Sequence, residues 1–137
     1  MTSDRKEVRI KRSTADRLLN GFIERISKVN SDDSYLYRVD RAVVFGSYVN
    51  DPDKDMIGDL DIGLKLVPKY EGKKHEELCD LKRRECRSSD LFTSVVWPTE
   101  EILRMLRNRS AYISLHMIGT ADDEAIFSSG IMEIPID

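Results

Sequence analysis

Two short apolar runs, each carrying small or acidic residues at one end, constrain this chain more than any other feature. Val43-Val44-Phe45 runs into Gly46-Ser47, and after the intervening residues 48–58 a second run begins as Asp59-Leu60-Asp61-Ile62-Gly63. In a strand the side chains alternate between faces, so Asp59 and Asp61 fall on one face, about 6 to 7 Å apart along the backbone. Two carboxylates so placed can chelate a divalent cation. A Gly-Ser turn can bring backbone N–H groups and a hydroxyl up to phosphate oxygens, because glycine has no Cβ to hold a ligand away. The pair reads as a metal–nucleotide site, with Asp59 and Asp61 as cation ligands and Gly46 and Ser47 as phosphate contacts.

A chain of 137 residues is long enough for one domain with one core. With 40% hydrophobic and 34% charged residues it has the composition of a folded globular protein rather than a disordered chain or a membrane span. The N-terminal stretch MTSDRKEVRIKRS lacks the apolar core of a signal peptide, so the expected compartment is the cytoplasm. Cys79 and Cys86 are expected on one helix about 10 Å apart, too far for a disulfide.

The net charge of −3 does not indicate nucleic-acid binding. Two clusters stand out nonetheless. Arg5, Lys6, Arg9, Lys11 and Arg12 crowd the N-terminus, read as a basic mobile tail over residues 1–12, and Lys82, Arg83, Arg84 and Arg87 crowd one helix. Both are ordinary solvated faces unless an acidic partner or a phosphate uses them.

Helical spacing of Leu18, Leu19, Phe22, Ile23, Ile26 and Val29 predicts an amphipathic helix over residues 14–29, opened by Ser13 as a cap. Residues 38–45 read as a buried strand, the turn formers of 50–55 as a connection, and 59–67 as a second strand closed by Pro68. A helix is expected over 73–87, a third strand over 91–97, a helix over 99–109 and a fourth strand over 111–118, followed by a C-terminal extension over 119–137. Alternating strands and helices predict an α/β or α+β domain in which helices pack on a small mixed sheet.

The order Gly46-Ser47, a short gap, then Asp59-x-Asp61, framed by apolar residues, resembles the signature of the nucleotidyltransferase superfamily, whose fold is that of DNA polymerase beta. The chain looks like the small stand-alone members, the minimal nucleotidyltransferases, over residues 13–118. The resemblance implies transfer of a nucleoside monophosphate, most simply AMP from ATP, to a hydroxyl acceptor. It also implies Mg²⁺ or Mn²⁺ as the cofactor and a nucleoside triphosphate as the donor. The chain has no room for a separate acceptor-binding domain, which favours a partner protein as acceptor.

The sequence departs from that pattern twice. Relatives often carry an arginine soon after Gly-Ser, whereas here Tyr48-Val49-Asn50 follows, with Lys54 the nearest cation and Lys65, Lys69, Lys73 and Lys74 as substitutes. Active relatives usually have a third carboxylate on a strand after the intervening helix. Placed on the 91–97 run, that position falls at Thr93 or Ser94, with Asp90 a few residues early as the nearest acid. A catalytically degenerate binding or regulatory module with the same fold is therefore the alternative to an active transferase. His75 and His116 read as a solvated and a structural histidine, and Tyr35, Tyr37 and Tyr48 as packing residues.

Overall fold

A computed structural model describes residues 9–119 and 123–136. Along the chain it places β1 (Ile10–Lys11), α1 (Arg12–Ser31), β2 (Tyr37–Phe45), α2 (Ser47–Asn50), β3 (Met56–Ile57) and β4 (Leu60–Pro68). After these come α3 (Gly72–Glu85), α4 (Leu91–Arg107), β5 (Ile113–Met117), α5 (Asp123–Phe127) and β6 (Met132–Glu133). The fold is mixed α+β. A four-stranded sheet runs in the order β5-β4-β2-β6, and β1 and β3 form a separate two-stranded ribbon.

β2 pairs antiparallel with β4, and β4 pairs parallel with β5. A register shift between Val39 and Arg41 decides which side chains face inward. The shift moves the alternation by one residue, so Val39, Ala42 and Val44 all share the buried face although they are not spaced evenly by two. Cross-strand partners share a face. Val44 with Ile62 and Ala42 with Leu64 therefore join the core, while Phe45 with Asp61 and Val43 with Gly63 lie on the other side.

α1 and α4 cover the inward face. α1 contributes Leu19, Phe22, Ile26 and Val29 and α4 contributes Ile102 and Leu106, packed against Leu60, Ile62, Leu64 and Ile113. Fully burying one such side chain contributes about 1.5–3 kcal/mol, so this layer holds the sheet in place. Among the described residues no helix is long and apolar enough to cross a membrane.

The principal correction concerns the run expected as a third strand. Residues 91–97 form the first turns of α4, which continues through a buried Pro98 to Arg107. The β-branched Thr93, Val95 and Val96 favour a strand locally, but Asp90 is an N-cap whose carboxylate accepts from the Thr93 N–H. The apolar run is not a buried one either, since Leu91 is 77% and Phe92 72% exposed. The strand beside β4 is β5, expected over 111–118 and found over the narrower range.

Other boundaries move for physical reasons. α1 starts at Arg12 without the Ser13 cap, because the Arg12 N–H donates to the Asp55 carbonyl at 2.6 Å instead. Ile10–Arg12, expected to belong to a mobile tail, is held by pairing with β3 and by this contact, while residues 1–8 of that tail lie outside the described residues. The C-terminal extension supplies β6, which pairs with Val43 and Val44 of β2. Cys79 and Cys86 are both free thiols, and burial raises the Cys79 thiol above its ordinary range.

Candidate nucleotide and cation site

Gly46 ends β2 in a conformation that explains its identity. Its φ of 79° and ψ of −155° lie in a region essentially restricted to glycine. A Cβ built there would also sit 2.5 Å from Oδ2 of Asp61, because Phe45 and Asp61 are register partners and the chain turns immediately after Phe45. The next residue opens α2, and the Ser47 hydroxyl accepts a hydrogen bond from the Gly58 N–H at 3.1 Å. That bond ties the Gly-Ser turn to the residue before Asp59. The two halves of the sequence motif, separated by residues 48–58, thus meet at one end of the sheet.

An arginine from another part of the chain braces this turn. The Arg12 side chain donates to the carbonyls of Lys54, Tyr48 and Asp51 at 2.9, 3.0 and 2.8 Å, and its guanidinium carbon lies 5.0 Å from the Tyr48 ring centroid. It holds α2 and the following loop in one conformation. Sequence reasoning placed Arg12 in the mobile basic tail, and no local signal marks it, since its partners lie on the far side of α1 in sequence.

Asp61 is a half-buried carboxylate with charged and polar neighbours. Nε2 of His116 on β5 is 3.5 Å from its Oδ1, and the Ser114 hydroxyl is 3.2 Å from the same nitrogen. The His116 ring also meets Phe45 edge-on at 5.1 Å between centroids. Burial raises the Asp61 carboxyl above the usual carboxylate range, His116 draws it back through a hydrogen bond and its charge, and the Asp59 charge pushes it up again. Ionised, this pair of acids is held together against desolvation and mutual repulsion, a cost that a bound cation offsets.

Among the described residues no group of three or more His, Cys, Asp or Glu side chains converges as a cation cage. Mg²⁺ commonly uses one or two carboxylates and completes its shell with water and substrate phosphates. Asp59 and Asp61 fit that pattern of hard oxygen donors on a partly desolvated sheet end.

The position matched to the family's third acid, Thr93 or Ser94 with Asp90 as the nearest carboxylate, is not on a strand at all. Asp90 spends its carboxylate on the Thr93 N–H and hydroxyl at 3.2 and 2.7 Å, and these bonds lower its pKa. The strand that does neighbour β4 sets Ser114 opposite Asp61 and His116 opposite Gly63. His116, read from sequence as structural, is therefore the ionisable side chain of β5 that reaches the Asp61 carboxylate. Lys69 is also removed from the list of phosphate-binding substitutes, since its ammonium caps α1 through the carbonyls of Val29 and Asp32.

Comparison with protein-family models, with curated proteins and with solved structures returns no match for this chain.

Proposed function

We propose that the chain is a Mg²⁺-dependent nucleotidyltransferase that moves a nucleoside monophosphate, most simply AMP from ATP, to a hydroxyl acceptor on a partner protein. The observation that carries this reading is the contact of the Gly46-Ser47 turn with the Asp61 end of β4, where an added Cβ at Gly46 would strike the carboxylate. Phosphate-sized ligands need backbone at close range and charge neutralisation beside it, and this end of the sheet offers a glycine turn and two carboxylates together.

In this reading the Ser47 hydroxyl, which already accepts from Gly58, keeps its own hydrogen to donate to a phosphate oxygen. Asp59 and Asp61 would hold the cation, which when bound neutralises charge developing on the phosphoryl and pyrophosphate oxygens. Arg12 keeps the turn rigid, so that its N–H groups need no reorganisation when the triphosphate arrives.

The second reading, a degenerate module that binds nucleotide without turnover, draws on β5. The strand beside Asp61 presents Ser114 and His116 where active relatives are expected to offer a carboxylate. One experiment separates the two. Thermal stability is measured with ATP, GTP, CTP and UTP, with and without Mg²⁺, alongside pyrophosphate release, for wild type, Asp59→Asn, Asp61→Asn and His116→Asp. A metal-dependent rise of about 2.7 kcal/mol at 100 times Kd in wild type, lost in both Asn variants, supports the nucleotide site. Release by wild type favours the enzyme, and release only by His116→Asp favours the module. No response to any triphosphate rejects both.

A further inference from the structure

On the helical layer, five arginines gather around the C-terminal end of α4. An open groove of about 880 Å³ is bordered by Trp97, Arg104, Arg107 and Arg109, and a smaller one of about 310 Å³ by Arg17, Arg25 and Arg107. Arg107 and Ser110 border both, so the two depressions form one track.

The positive charge along this track is poorly compensated. Glu100 approaches Arg104 and Arg107 only at 3.9 Å in each case. Glu101, at the edge of the larger groove, is engaged with Lys82 at 3.1 Å. Arg25 donates to the Leu106 carbonyl at 2.9 Å, which leaves its charge without a carboxylate in contact, although Glu24 acts on it from the same helix. Among the described residues Arg17 and Arg109 make no ion pair or side-chain hydrogen bond. Guanidinium groups stay charged at any accessible pH, so crowding them opposes folding unless an anion is recruited.

The backbone adds a second observation. Asn108 and Arg109 both lie in the left-handed region, with φ of 50° and 61°. Asparagine tolerates this as the residue after a helix, but arginine gains nothing from it locally. The strain is accepted at the residue that brings a charge to the rim of the groove.

Trp97 points to the class of anion. Its indole borders the groove, and the Arg104 guanidinium carbon lies 5.3 Å from its ring centroid. An acidic peptide uses the arginines but has little use for a flat aromatic face. A single-stranded nucleic acid uses both, with phosphates along the positive track and a base taking the place over the ring that Arg104 holds in the free chain. We propose that the Trp97–Arg109 groove and its extension past Arg25 bind single-stranded nucleic acid through its phosphate backbone, with Trp97 as a stacking platform. The overall charge of −3 does not oppose this, because the five arginines of the track outnumber Glu100 and Glu101, the acids beside it. The proposal is independent of nucleotidyl transfer, and its test contains neither triphosphate nor metal.

The test is fluorescence anisotropy of the full chain with labelled oligouridine and oligodeoxythymidine strands of about ten nucleotides, between about 50 and 200 mM salt. Binding of either strand is expected, with affinity falling as salt rises at a log–log slope of about −2 to −3. The ratio between the two strands identifies the preferred sugar. Arg109→Gly removes one charge while relieving the left-handed strain, so it leaves the melting temperature unchanged or raises it. Combined with Arg107→Gln it should weaken binding about tenfold and flatten the slope by about 1.4. Trp97→Ala should weaken binding about tenfold without altering the slope, and Trp97→Phe should restore most of it.

Absence of binding to both strands at low salt overturns the proposal. It is also overturned if the groove variants bind as wild type while Arg5→Gln with Lys6→Gln abolishes binding, which would assign it to the N-terminal cluster. Labelled polyglutamate that binds as tightly as the oligonucleotides, with the same loss in Arg109→Gly, would assign the groove to an acidic protein instead.

Discussion

Gly46 and Asp61 stand so close at the end of the β2–β4 pair that a single methyl group on the first would lie 2.5 Å from the carboxylate of the second. The relationship has two consequences. It leaves the turn backbone open to a ligand of Asp61, and it makes position 46 intolerant of any side chain. Gly46→Ala is expected to lose about 1–3 kcal/mol through its φ of 79° alone, and to abolish any stabilisation by Mg²⁺-triphosphate. Chemical denaturation with and without ligand checks both.

Asp61→Asn is expected to separate stability from ligand response. Burial, opposed by His116 and reinforced by Asp59, leaves the Asp61 pKa raised in the folded state. A raised carboxyl pKa contributes stability that is fully present below the unfolded value of about 3.9 and is lost as pH rises through the folded value. The ligand-free protein should therefore lose stability across that window, and Asp61→Asn should flatten the profile and be as stable as wild type or more so at neutral pH. A destabilised Asn variant at neutral pH would mean that the His116 contact outweighs desolvation.

Arg12 is expected to matter out of proportion to its place near the N-terminus. Its three hydrogen bonds to the carbonyls of Tyr48, Asp51 and Lys54 hold the loop that follows Ser47. Arg12→Met should cost about 2–3 kcal/mol, since a charged donor is lost and partly buried carbonyls are left to find water. Hydrogen exchange should then report faster opening of residues 48–55 than of β2 or β4.

Asp90→Ala distinguishes a helix cap from a cation ligand. The carboxylate accepts from the Thr93 N–H and hydroxyl, so the variant should lower the melting temperature. The response to Mg²⁺ and triphosphate should be unchanged. A selective loss of the metal response, with stability intact, would return Asp90 to the proposed cation site.

Tyr48 supplies a test at alkaline pH. Burial, followed by the hydrogen bond to Asp16 and the Asp16 charge, pushes its phenol up to about 12, with Arg12 opposing. Because the folded pKa is raised, the contribution is present below the unfolded value of about 10 and disappears as pH climbs towards 12. The melting temperature of wild type should fall more steeply over that interval than that of Tyr48→Phe.

Much of the fold was legible from local pattern. The apolar spacing of Leu19, Phe22, Ile26 and Val29 marks α1, and the residues that frame Gly46-Ser47 and Asp59-Leu60-Asp61 mark β2 and β4. The 91–97 run misled because β-branched residues favour a strand on short windows, whereas the Asp90 cap and the inward spacing of Pro98, Ile102 and Leu106 act over a longer one. The contact of His116 with Asp61 was not legible for a related reason. That contact depends on β5 lying beside β4, and no residue near His116 in sequence announces that neighbour.

The sequence by itself determined the two strand ends, the helix stripe that covers them and the residue types available for cation and phosphate chemistry, because periodicity and turn residues act through bonds between near neighbours. Tertiary structure alone decided that Gly46 presses on Asp61, that His116 rather than a residue of 91–97 stands beside that carboxylate, that Arg12 braces the turn, and that arginines from α1 and α4 share one groove. Those relationships join segments far apart in the chain. They are set by sheet register and helix packing, which no local pattern encodes.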